Sequence, residues 1–297
     1  MIIIRYYRIK ELYGRFIVSI QSVVGGGGRF FCVQAASCAD RAHLEAPWPG
    51  ESCFSGWYAT CRQDNLAAFA EYLEFKKIHI AQKDLQLLDV YFLDYMREGG
   101  LPENIVYPTR DYLMNLADDI IQKDIAAYYG VRDHQLLRDY FTLLMERSGK
   151  QVSINKISHI LKISPDTSRR YLSYFENAFL IYLVPRWGKT NEQLLAPKKV
   201  YACDLGFKYL FIGERDKGSY FENYVYLQLR SKGPVYYYYQ DGIELDFLIN
   251  GDILVECKYN EELKGLQLQA FNDYPAGMKY FVGSVRDLEV LDERVTG

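Results

Sequence analysis

The stretch that most restricts this chain is ELDFLINGDILVECK, Glu244 to Lys258, because its turn and its two-residue period leave few folds open. Leu245, Phe247 and Ile249 alternate with Glu244, Asp246 and Leu248. After Asn250-Gly251, Ile253, Val255 and Cys257 alternate with Leu254, Glu256 and Lys258, so the segment reads as two strands joined in a hairpin. A two-residue loop would set Asp246 against Val255, whereas a three-residue loop, Asn250 to Asp252, sets Asp246 against Glu256 and Phe247 against Val255. The apolar pattern selects the second register. One face then carries Leu245, Phe247, Ile249, Ile253, Val255 and Cys257, and the other gathers Glu244, Asp246, Glu256 and Lys258 beside Leu248 and Leu254.

Like charges directly opposite on a sheet are destabilising, and a hard divalent cation such as Mg²⁺ is a common way to make such a pair tolerable. An aspartate on one strand and E-x-K on the next is what Mg²⁺-dependent phosphodiester hydrolysis needs. Asp246 and Glu256 would hold the metal, the metal would generate hydroxide and neutralise the phosphate, and Lys258 would orient the water or stabilise developing charge. The outer face of an edge hairpin, solvated and salt-bridged, is the plainer reading of the same residues when the motif is taken alone. Glu222 has a similar double reading. It sits near the start of SYFENYVYLQLRSKG, a helix with little polar surface, either as a glutamate favoured by the helix dipole or as a third acidic metal-site residue.

Composition limits the partners. A net charge of −3 excludes a wholesale basic protein, so nucleic-acid contact must come from local patches. No apolar run reaches the length of a membrane span, and MIIIRYYRIKELYGR is too charged after a short apolar start for a secretory signal. A cytoplasmic protein with no membrane partner and six reduced cysteines is expected. The 27 tyrosines suggest aromatic-rich strands and interfaces.

Along the chain, residues 1–65 show no sustained period beyond a strand or short helix at the start. Gly25 to Gly28 precede Arg29-Phe30 without the lysine and hydroxyl of a phosphate-binding loop, and a flexible loop is expected there. Cys32, Cys38, Cys53 and Cys61 are separated by five, fourteen and seven residues, which is not zinc-ligand spacing. From Leu66 helices follow in LAAFAEYLEFKKI, in LQLLDVYFLDYMREGG, stopped by Gly99-Gly100 and Pro102, in TRDYLMNLADDIIQKDIAAYYG, ending at Gly130, and in Gln135 to Glu146.

Residues 150–205 read as helix, tight turn, helix and hairpin. Ile154, Ile157 and Leu161 share one helical face, Ser164-Pro165 supplies an N-cap and first-turn proline, and Tyr171, Leu172 and Phe175 face inward. AFLIYLV and KKVYACDLG are strands flanking a loop with Arg186, Trp187 and Lys189. This is the plan of a winged helix, in which Arg169 and Arg170 on the second helix, with Arg186 and Lys189 in the wing, would contact DNA. A protein-packing unit whose arginines are a solvated face fits the same pattern. Beyond it come a helix, the strand VYYYYQ, the hairpin, a helix through GLQLQAF and a last strand, KYFVG.

That order, with Glu222 on the first helix, Asp246 in the second strand and E-x-K in the third, resembles the PD-(D/E)XK nuclease-like fold. YMREGGLPENI, IIQKDI, YFENAFLIYLV, KKVYACDLG, FENYVYLQL, YYYYQDGIELDF and VECK together resemble the carboxy-terminal region of a large archaeal and bacterial family of predicted ATPases of the AAA superfamily. The resemblance covers roughly residues 66–297 and implies a mixed α/β chain. Its parts would be a remnant of a P-loop ATPase domain at 1–65, a helical connector at 66–149, a winged helix at 150–205 and a restriction-endonuclease-like α/β domain at 206–297. It also implies Asp246 and Glu256 as metal ligands for Mg²⁺, Lys258 as the catalytic lysine and Glu222 as the helix glutamate. Only about sixty residues stand where the family's ATPase core belongs, as if the middle were deleted or residues 15–65 were read in a shifted frame. ATP hydrolysis is therefore not expected of this chain. The expected function is nucleic-acid binding with a Mg²⁺-dependent nuclease-like site, and the rivals are a non-catalytic module that packs against a protein partner and a degenerate gene product.

Overall fold

The computed structural model describes the strands Arg5–Arg8, Phe16–Gly25 and Gly28–Ser37, residues 72–74, 76 and 78, and residues 86–287 continuously. The chain is mixed α/β, with a helical region preceding a small carboxy-terminal sheet unit. Strands β1 (Arg5–Arg8), β2 (Phe16–Gly25) and β3 (Gly28–Ser37) form an antiparallel sheet. Gly25 pairs with Gly28 across the hairpin. Gly25 and Gly28, from the run expected to be a flexible loop, thus end one ten-residue strand and open the next in a segment whose sequence shows no sustained period, while Gly26 and Gly27 lie outside the described residues. Residues 38–65, with Cys38, Cys53 and Cys61, lie outside the described residues.

Of the first helix expected, 66–78, only residues 72–74, 76 and 78 are described, with 72–74 helical, and the later helices fall close to where their signals place them. Helix α1 (Gln86–Glu98) ends at Gly99, whose φ of +77° suits glycine. A short α2 (Pro102–Val106) begins on the proline. Helix α3 (Arg110–Asp119), capped by Thr109, runs on through a π-helical stretch, Ile120–Ala126, to Ala127–Tyr129 and stops at left-handed Gly130. Helix α4 (His134–Glu146) is capped by Asp133. Then come α5 (Ile154–Leu161) and α6 (Pro165–Asn177), where the Thr167 N–H donates to Ser164 Oγ at 3.0 Å. Strands β4 (Ile181–Val184) and β5 (Lys199–Ala202) pair antiparallel around an unanticipated short helix, α7 (Thr190–Leu195). Helix α8 (Leu205–Ile212) was also not read from the sequence; it links this hairpin to α9 (Lys217–Leu229).

The last sheet has the order β6 (Val235–Gln240), β7 (Ile243–Ile249), β8 (Ile253–Cys257), β9 (Met278–Val282). The first three strands are antiparallel neighbours, and β9 returns parallel to β8 after α10 (Gly265–Asp273). Helix α9 covers one face through Phe221, Tyr224 and Val225 against Phe247, Val255 and Cys257, and Phe271 of α10 packs on the other face against Leu245, Leu248 and Leu254.

Two large cores organise the molecule, and they cut across the chain order. One joins α3, α4, α5, α6, β4 and part of β5 and α8. The other joins Leu88, Phe92, Tyr95 and Met96 of α1 to α9 and the carboxy-terminal sheet, with Phe92 and Tyr224 ring centroids 5.1 Å apart. The described residues of 66–149 are thus divided between two cores. The helices of residues 110–146 share theirs with α5, α6 and the β4–β5 hairpin, and α1 shares its core with the sheet.

Candidate functional site

The β7–β8 register is the one the apolar pattern selects: Phe247 pairs with Val255 and Ile249 with Ile253. The faces differ from strict alternation. Between Tyr236 and Tyr238 of β6 the register slips, so that Leu248 and Leu245 of β7 oppose them with one residue more between than on β6. Leu245 therefore joins Leu248 and Leu254 on the α10 side, correcting its expected place beside Phe247. Asp246 and Glu244 instead reach toward α9 and β5.

What they reach is Lys199, the first residue of β5. Its Nζ lies 2.8 Å from Glu222 Oε1, 2.8 Å from Glu244 Oε1 and 3.6 Å from Asp246 Oδ1, and its side chain is 1% exposed. The Tyr201 hydroxyl also donates to Glu222 Oε1 at 2.7 Å, and Gln151 Nε2 donates to Glu244 Oε2 at 2.9 Å. The Cys257 N–H and thiol donate to Asp246 Oδ2 at 3.1 and 3.4 Å. Burial alone would lower the Lys199 pKa, but Glu222, Tyr201, Asp246 and Glu244 outweigh it and hold the ammonium well above its ordinary range. Burial likewise raises Glu222 against the pull of Lys199.

Glu256 belongs to a different layer. Its Oε2 accepts the Asp246 N–H at 2.9 Å and its Oε1 accepts Gln267 Nε2 of α10 at 2.8 Å. It is fully buried, and burial followed by the Asp246 charge pushes its pKa up to about 8. Lys258 is exposed and makes no ion pair among the described residues. Of the four expected residues, Glu222 and Asp246 converge on a lysine that sequence reasoning missed. Glu256 adjoins Asp246 through the main chain, and Lys258 stands outside. The signal for Lys199 was present: in KVYA the two-residue period puts it on the same side as Tyr201, inside a strand with all four residues buried.

As arranged, these residues do not fit a magnesium ion. Among the described residues no three His, Cys, Asp or Glu side chains are placed to hold a metal. The carboxylate oxygens that approach each other are already taken by ammonium, phenol, amide, thiol and backbone N–H donors.

The residues expected to meet nucleic acid divide in the same way. Arg169 and Arg170 are exposed on α6, opposite buried Tyr171 and Phe175. Arg169 pairs within its own turn with Asp166 at 2.6 Å, and Arg170 reaches Thr167 Oγ1 at 3.3 Å. Lys189 is exposed. Arg186 is turned onto the carboxy-terminal sheet: Trp187 N–H donates to Tyr237 O at 2.7 Å, Tyr237 N–H donates to Pro185 O at 3.1 Å, and the guanidinium lies 5.8 Å from the Tyr239 ring centroid. The loop after β4 therefore docks on the edge of β6 instead of hanging free.

Residues 90–217 match a domain of unknown function, DUF8612, and residues 217–285 match a second, DUF4143, which is found in AAA-ATPase-associated proteins. Over 225 residues the chain is 27% identical to an uncharacterized protein of Methanocaldococcus jannaschii, covering 68% of this chain and 51% of that one. Over 257 residues it is 28% identical to an uncharacterized protein of Haemophilus influenzae, covering 82% of this chain and 62% of the relative. The chain thus spans between half and two thirds of the length of these relatives. No solved structure matches it. Among the described residues, no helix is long and apolar enough to cross a membrane, and Cys203 and Cys257 are buried.

Proposed function

We propose that this chain is a nucleic-acid-binding module of an AAA-ATPase-associated protein, which contacts duplex DNA through α6 and works in the cytoplasm beside a partner that supplies ATP hydrolysis. The observation that carries the reading is the outward face of α6. Arg169, Arg170 and Asn177 are exposed there on a helix whose other side is anchored by Tyr171 and Phe175, and the helix follows α5 through a tight turn, as a groove-reading helix requires. The match of residues 217–285 to DUF4143 supports the AAA-associated setting. Phosphodiester cleavage by Asp246, Glu256, Lys258 and Glu222 with Mg²⁺ is not part of this reading, because the acids are committed to protein donors.

Fluorescence anisotropy of labelled duplex DNA with the full chain tests it. Replacing Arg169 and Arg170 together by alanine should weaken binding roughly tenfold and reduce the dependence of log K on log salt by roughly two. Equal DNA affinity in the wild type and the double variant, or none in either, would favour the protein-packing alternative.

A further inference from the structure

Two of the acids expected around a divalent ion, Glu222 and Asp246, gather instead with Glu244 around an ammonium, while Glu256 stands apart from it. Lys199 comes from the β4–β5 hairpin, outside the carboxy-terminal sheet, while Glu222 comes from α9 and Glu244 and Asp246 from β7. The contacts of 2.8 Å to Glu222 and Glu244 are ordinary for N⁺–H···O⁻ pairs, whereas Mg²⁺ demands oxygens at about 2.0–2.1 Å in near-octahedral array. Other protein donors share these acids. Tyr201 shares Glu222 Oε1, Gln151 holds Glu244 Oε2, and Cys257 holds Asp246 Oδ2. On its far side Glu222 Oε2 lies against Gly149, where a Cβ would stand only 2.9 Å away.

We propose that Lys199 is the resident cation of this acidic site: a lysine lent by the β4–β5 hairpin takes the place of a divalent ion and fastens the hairpin to the nuclease-like sheet. The site is thereby a joint between two units and not a hydrolytic centre. The inference uses the same geometry that excludes cleavage from the proposed function, but it stands apart from DNA binding by α6, and its test involves no nucleic acid.

The test is titration of Mn²⁺ into the full chain, followed by the paramagnetic resonance signal of free Mn²⁺ and by thermal unfolding with and without the ion. The wild type is expected to take up no Mn²⁺ at this site and to show the same Tm in both conditions, with Asp246→Ala giving an identical titration. Lys199→Met vacates the centre of three carboxylates, so it should bind one equivalent of Mn²⁺ and gain several degrees in Tm when Mn²⁺ is added. Stoichiometric Mn²⁺ uptake by the wild type that disappears in Asp246→Ala would overturn the proposal, as would a folded Lys199→Met variant blind to Mn²⁺. The wild-type and Asp246→Ala titrations decide the matter even where Lys199→Met does not fold.

Discussion

Lys199 and Glu222 stand 23 residues apart in the chain and meet at 2.8 Å, the first on a strand of the hairpin and the second on the helix that roofs the carboxy-terminal sheet. Removing one member of a buried ion pair leaves its partner uncompensated, at about 3–5 kcal/mol. Lys199→Met should therefore cost about that much, because three carboxylates lose their common counter-charge. Glu222→Gln should cost less, about 1–3 kcal/mol, since Glu244 and Asp246 still face the ammonium. Combining the two should recover part of the loss. Urea unfolding of the four proteins measures this cycle, and strict additivity would mean that the two groups do not interact.

A second buried lysine carries a pH signature. Lys208 is 1% exposed, donates to Ser219 Oγ at 2.6 Å and lies 4.3 Å from the Tyr220 ring centroid. Burial lowers its pKa from 10.5 to about 7. Between those values the unfolded chain holds a proton that the folded chain has released, so raising the pH favours folding, by about 1.4 kcal/mol per pH unit at most. Lys208→Met should abolish that rise. Urea midpoints for both proteins between pH 7 and 10 give the comparison, and parallel profiles would refute it.

At the end of α1 the chain is pinned by Asp204, which is 2% exposed. Its Oδ2 accepts the Gly100 N–H at 2.7 Å and its Oδ1 the Phe207 N–H at 3.2 Å, so one carboxylate both fixes the α1–α2 turn and caps α8. Asp204→Ala should cost about 2–4 kcal/mol, the sum of a lost cap and an orphaned buried N–H. Gly99→Ala should be at least as harmful, because a Cβ there would collide with that carboxylate on a residue already at φ +77°. Thermal unfolding checks both, and a loss under about 0.5 kcal/mol in either would count against the account.

Lys258 gives the opposite expectation. Exposed and without an ion pair among the described residues, it should tolerate alanine with a change in stability within about 0.5 kcal/mol. A large loss in a denaturant titration would place it in the acidic cluster after all.

How far the sequence could be read depended on whether the signal was local. Ser164-Pro165, Gly130 and Asn250-Gly251 act within a few residues of themselves, and the helix start, helix end and hairpin turn are where they indicate. Leu245 could not be placed, because the slip that turns it toward α10 arises from pairing with β6, which no period in β7 reveals. Lys199 was overlooked for a related reason. A lysine opening a strand reads as solvated until its three acids, one on a helix and two on a strand beyond it, are seen to close over it. Helix α8 was hidden by its own composition, since LGFKYLFI is nearly apolar throughout and shows no amphipathic face.

The sharing of one core between α1 and the last sheet bears on the order in which the molecule can be completed during synthesis. Residues 110–207 supply nearly all of the first core and can close as soon as they leave the ribosome. Phe92, Tyr95 and Met96 emerge before them, yet the rings they pack on, Phe221 and Tyr224, and the sheet beneath, come last. Through that interval the side of α1 that will meet Phe221 and Tyr224 stays uncovered on the newborn chain, and this is the moment at which a chaperone or an early-arriving partner has the most to hold.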